Sequence, residues 1–173
     1  DTLRIMLETE VRTESSLCVP REAVIAHYRR ALGLGKTVLI TTDTFLTREL
    51  LLPLLARCDI AGYSRLLISC EAKKLKHLGD MWRHIRELYP AGRILHIGDN
   101  RGADIETAER AGIRAFKVDS ARERLSRSPL RPWCERAGGR DDRLLLGAVA
   151  SRLMNNPFQG LQLDSPSHLG YAC

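Results

Sequence analysis

The sequence predicts an α/β fold with a mainly parallel sheet, on three observations. Short apolar runs recur along the chain: "TVLIT" at 37–41, "RLLIS" at 65–69, "RILHI" at 93–97 and "AFKV" at 115–118. The stretches between them carry apolar residues at helical spacing and are long enough for crossovers, which parallel neighbours require. Polar residues able to do chemistry follow the runs, where open parallel sheets place their ligands.

Taken in order, "LETEVRT" at 7–13 alternates apolar and polar residues and predicts a half-buried strand. Pro20 suits a first helical turn; Val24, Tyr28 and Leu32 mark one helix face, and Gly33 and Gly35 end it. The strand at 37–41 follows, then a helix over 47–58 interrupted or kinked at Pro53. After the strand at 65–69, a helix is predicted from Asp80 to Tyr89, and Trp82, at helical spacing from Leu78, Ile85 and Tyr89, is expected in the core. The strand at 93–97 leads to a helix over about 103–111, and 115–118 is the last strand. Beyond Asp119 the rhythm stops. Residues 120–142 predict a loop or short irregular helices, and Arg143 to Met154 one further helix. The expected organisation is therefore a core over 1–119, an Arg-rich linker over 120–142, and a C-terminal helix and tail over 143–173.

Composition narrows the function. With 173 residues, 44% hydrophobic and 28% charged, the chain can build a real core. The net charge of +6 comes mostly from Arg, but between Arg122 and Arg143 these residues are interleaved with Glu123, Glu135, Asp141 and Asp142. Mixed signs favour a solvated segment over a nucleic-acid footprint. The five Cys have no metal-type spacing and predict reduced thiols in a cytoplasmic protein. "LLLGAVA" at 144–150 is far too short to cross a bilayer. "GLGK" at 33–36 precedes a strand instead of following one, so it is no phosphate loop. The five His share no spacing and predict packing or surface roles.

At the strand ends lie Thr41, Thr42 and Asp43, then Ser69 leading to Lys73, Lys74 and Lys76, then Asp99. Hydroxyl and ammonium groups bind anionic oxygens, and a carboxylate suits Mg²⁺. Asp99 or Asn100 could instead cap the following helix, with Asp104 in its first turn.

The order Thr, Lys, Asp resembles the haloacid dehalogenase superfamily of phosphohydrolases. Its second motif, an apolar strand ending in Ser or Thr, is matched by "VLITT" with Thr42; its third, a Lys upstream of or within a helix, by Lys76 in "KHLGD". Its fourth, a strand ending in GDxxxxD, is matched by Gly98, Asp99 and Asp104. "TTDTFLT", "KHLGDMW", "ILHIGDNRGAD" and "GAVASRLMNNPF" are similar to a bacterial subgroup found alone or attached to glycosyltransferase modules.

The resemblance implies a three-layer, Rossmann-like α/β sandwich. It further implies catalytic roles for Thr42 and Lys76, a Mg²⁺ cofactor held at Asp99 with Asp104 either orienting the metal shell or holding the loop, and substrate contacts from Thr42, Asp43, Lys76 and Asn100. The partners implied are a small phosphorylated molecule and a glycosyltransferase module, with neither nucleic acid nor a membrane span.

The superfamily's first motif carries a nucleophilic Asp, and the subgroup reads FDxFDTL there. The opening "DTLR" is similar to the tail of that motif, which puts the nucleophile three residues before Asp1. The motif's strand would lie between those ending in Thr42 and Asp99. The chain alone is thus expected to recruit another segment, such as 7–13, into that gap, or to be poorly stable, and to lack turnover in either case. The subgroup also has Phe in place of the phosphatases' acid/base Asp, so a non-catalytic scaffold beside a glycosyltransferase is the alternative. A phosphorylatable receiver domain is disfavoured, because there the acids precede Thr and Lys.

Overall fold

The structure, a computed structural model, describes residues 2–159. Asp1 and the predicted tail beyond 159, including Cys173, lie outside the described residues. The chain divides into two compact units, Asp1–Pro20 with His27–Lys117, and Arg21–Ala26 with Val118–Cys173.

In the first unit the α/β alternation is present. Its helices and strands are α1 (Thr2–Leu17), most of α2 (Glu22–Gly33), β1 (Leu39–Thr42), α3 (Arg48–Arg57), β2 (Arg65–Ile68), a single turn α4 (Ser69–Ala72), α5 (Asp80–Leu88), β3 (Leu95–Gly98), a π-helical turn (Arg101–Glu106) running into α6 (Thr107–Arg110), and β4 (Arg114–Lys117). β1 pairs in parallel with β2, Thr42 opposite Ile68, and β3 with β4, Gly98 opposite Lys117. Each pair is a separate two-stranded sheet among the described residues. One helix serves both: Met81, Trp82 and Ile85 of α5, with Ala108 and Ile113, form a buried cluster on which Leu39 and Leu67 pack from the first pair and Ile94 and Ala115 from around the second. Trp82 is thus core, as its helical spacing predicts. The opposite face of β3 and β4 leaves Leu95, Ile97 and Phe116 exposed.

Residues 7–13 are not a strand. They lie inside α1, which buries no residue, so they do not enter a sheet between β1 and β3. Leu3, Leu7 and Val11 fit a helical period as well as their neighbours fit a period of two, and the Leu, Met, Arg and Glu around them are good helix formers. An Arg4–Glu8 ion pair at 2.8 Å, one turn apart, adds to the helix. Past α1, the Cys18 and Cys58 sulfurs lie 4.0 Å apart as free thiols.

Pro53 stands inside α3, and Thr47 before it makes no side-chain cap. The Arg48 amide donates instead to the Glu71 carboxylate at 2.8 Å, so a neighbouring turn does the capping. Gly35, at φ 66°, follows α2 in the left-handed region that glycine enters without steric cost.

The second unit holds α7 (Ala121–Ser126), α8 (Arg131–Arg136) and α9 (Arg140–Leu153), so the predicted linker is short helices rather than open loop. α9 begins three residues earlier than the sequence suggests. Ser120 and Glu123 cap α7 reciprocally, at 3.2 and 2.9 Å. Leu125, Ala150 and Met154 make its small core, with Ala121, Leu130 and Cys134 packed around them. Arg21 donates to the carbonyls of Asp119 and Asn155. Limited trypsin digestion should cut first after Arg136 or Arg140, flanking the exposed, non-helical Gly138–Gly139 step, ahead of any site between β1 and β4. Mass spectrometry of the earliest fragments tests this, and a first cut within residues 39–117 would contradict it.

Candidate functional site

The loops that follow β1, β2 and β3 are tied together by hydrogen bonds. After β1, the Asp43 carboxylate accepts from the Lys76 backbone amide at 3.0 and 3.2 Å, anchoring the turn that carries Lys76. Asp43 therefore holds the Lys76 turn and not the start of α3. After β2, the Ser69 hydroxyl accepts from the Thr44 amide at 2.9 Å and donates to the Thr44 carbonyl at 3.1 Å. At the start of α5, Asp80 accepts from the Leu75 amide at 2.7 Å.

These ties deliver the Lys76 ammonium to Asp104, Nζ to Oδ1 at 2.6 Å, with both side chains largely buried. The other carboxylate oxygen, Oδ2, accepts from the Asn100 amide at 3.0 Å and so closes the loop after β3. His96 stands on the same strand face: its Nε2 lies 3.3 Å from Asp104 Oδ1, at an angle short of a formed hydrogen bond, and its ring rests on Trp82 with centroids 4.5 Å apart. Trp82 in turn donates to the Ala103 carbonyl and the Thr107 hydroxyl, both at 2.9 Å, fixing the π-helical turn beneath Asp104.

Gly98 is required by this packing. A Cβ there would stand 2.5 Å from Asp104 Cγ and 2.6 Å from its Cβ and Oδ2, closer than real Cβ atoms approach anything. Even Ala would displace the carboxylate that holds Lys76.

Burial by itself would raise the pKa of Asp104. The contacts with His96 and Lys76 and the Asn100 amide outweigh it and hold the carboxyl well below the usual carboxylate range. A depressed carboxyl contributes stability above its unfolded pKa of about 3.9 and loses it as pH falls through the folded value. Stability to urea should therefore decline on acidification below about pH 4, and Asp104→Asn should remove part of that decline. An acid limb identical in the two proteins would remove Asp104 as its source.

The remaining sequence candidates are placed as follows. Thr42 is half-buried at the end of β1, beside the buried and unpartnered hydroxyl of Thr41. Asp99 is exposed just past β3 and has no side-chain partner among the described residues. Asn100 caps the π-helical turn, its Oδ1 accepting from the Ala103 amide at 2.9 Å. Of the three neighbouring lysines, Lys76 is the one paired with Asp104. The site residue that sequence reasoning missed is His96; the signal for it is the alternation of β3, which turns His96 and Gly98 to the inner face.

Among the described residues, no three His, Cys, Asp or Glu side chains gather as a metal cage. Mg²⁺ does not demand one, since it keeps several waters and takes one or two carboxylates together with substrate phosphate. The free Asp99 carboxylate fits that role, whereas both oxygens of Asp104 are already engaged. No helix among the described residues is long and apolar enough to cross a membrane. The chain matches no protein-family model and no curated protein sequence.

Proposed function

We propose that this chain is the phosphate-handling core of a Mg²⁺-dependent phosphohydrolase of the haloacid dehalogenase type, acting on a small phosphorylated metabolite. The observation that carries the reading is the buried Lys76–Asp104 pair, tied by hydrogen bonds to the ends of β1 and β3, where Thr42 and Asp99 stand. Asp104 orients Lys76 and holds the loop. Lys76 supplies positive charge to the transferring phosphoryl oxygens and the Thr42 hydroxyl donates to one of them, in a setting where fixed donors act more strongly than in water. Asp99 would hold Mg²⁺, which supplies charge neutralisation on the phosphate. The reading requires a nucleophilic Asp of the first-motif type, which would attack phosphorus as the alcohol leaves with a proton from solvent; water would then cleave the aspartyl phosphate, releasing phosphate and a proton and restoring the carboxylate.

One observation favours a second reading, a catalytically inactive scaffold associated with a glycosyltransferase: the charge of Lys76 is already balanced within the protein by Asp104. Turnover of an aryl phosphate by the complete protein, with and without Mg²⁺, separates the two. Under the phosphohydrolase reading Lys76→Ala lowers turnover about 10²-fold or more, while Lys73→Ala and Lys74→Ala have small effects. No Mg²⁺-dependent turnover in the complete wild-type protein would favour the scaffold.

A further inference from the structure

Next to Lys76 the loops after β1 and β2 form an open cup of about 640 Å³, within the range of small-molecule sites. Its apolar lining is Phe45, Cys70, Leu75 and Leu78, and Lys73 and His77 line it too. Phe45 and Leu78 stand exposed at 62% and 63%, large apolar side chains held out to solvent at the rim. Lys73 is one of two non-glycine residues among those described with a left-handed backbone, at φ 51°. It ends α4 in the left-handed conformation common at helix C-termini, which turns the chain along the cup.

Three of the cup's other polar side chains already hold the surrounding loops. Asp43 accepts from the Lys76 amide, Asp80 from the Leu75 amide, and Ser69 bonds both polar backbone groups of Thr44. A polyhydroxylated sugar would have to exchange water for the side chains of Lys73 and His77 and would leave the apolar rim of Phe45 and Leu78 unused. A flat apolar ring loses little and gains contact with Phe45 and Leu78.

We infer that this cup receives the alcohol part of the substrate, and that this part is a planar, largely apolar ring system rather than a bare sugar: the substrate class is an aryl or heteroaryl phosphate monoester. The inference rests on the phosphohydrolase reading. Asp43 joins the two regions, since it lines the cup while its carboxylate holds the turn of Lys76. The phosphate lies toward Lys76 and Thr42, and the ring lies over Phe45.

Calorimetric titration of the complete protein with 1-naphthyl phosphate, glucose 6-phosphate, inorganic phosphate and 1-naphthol tests this. The expected result is 1-naphthyl phosphate binding about 10-fold or more tighter than glucose 6-phosphate or inorganic phosphate, a difference on the order of 1.4 kcal/mol. Phe45→Ala should erase that advantage and leave inorganic phosphate affinity unchanged; Lys76→Ala should weaken all three phosphates. Phe45 is exposed, so its variant should fold, and its circular dichroism checks this. Inorganic phosphate binding through Lys76 with no gain from the ring would overturn the inference alone. Binding of 1-naphthol that depends on Phe45, with no gain from phosphate, would overturn the phosphohydrolase reading and with it the ester class. Failure of all four ligands to bind would overturn both.

Discussion

Asp104→Ala should destabilise the protein by about 3 to 5 kcal/mol, the loss that follows removal of one partner from a buried ion pair. The reason is what remains behind: the Lys76 ammonium, mostly buried at 13% exposure, keeps no carboxylate, and the Asn100 amide loses its acceptor. Desolvation of an unpaired charge costs more than the pair gains when intact. For a domain of this size the shift in Tm should be about 6 to 20 °C. The double variant Lys76→Met with Asp104→Leu should recover much of the loss, because it removes both charges and fills the space. Urea unfolding of the three proteins measures this; a single variant within about 0.5 kcal/mol of wild type would mean that water reaches the pair and screens it.

The second large effect is on activity. Asp99→Asn in the complete protein should reduce Mg²⁺-dependent turnover by about 10²-fold or more, with the thermal transition nearly unchanged. Asp99 is exposed and free of side-chain partners among the described residues, so its carboxylate contributes little to folding. Asn keeps the shape and one carbonyl oxygen but loses the charge that a divalent ion needs. Activity and melting temperature measured together separate the outcomes: full activity removes Asp99 from the metal site, and a large fall in Tm makes it structural.

The α/β alternation was legible because each strand is a short apolar run set between helical patterns. Thr42 was read at the end of an apolar run, where it closes β1, and Lys76 and Asp104 were singled out by order and spacing; the structure pairs the last two. What the sequence could not separate was a strand from a helix at 7–13, where Leu7 and Val11 satisfy both periods and no described residue of α1 is buried. Nor could it reveal the close approach of His96 to Asp104, since a histidine within an apolar run looks like packing until the strand's inward face is known. The π-helical turn at Arg101–Glu106 leaves no compositional trace, because it differs from an α-helix only in the reach of its hydrogen bonds.

The close approach at Gly98 has a genetic corollary. Glycine is the one residue without a Cβ, so every missense change at its codon places an atom where the Asp104 carboxylate stands. Elsewhere in β3, conservative alleles exist: Ile97 is exposed, and Val there would keep the branched surface. Position 98 has no such neighbour in sequence space. A saturation library should therefore return wild type alone there, a binary locus inside a strand whose outward positions tolerate graded change.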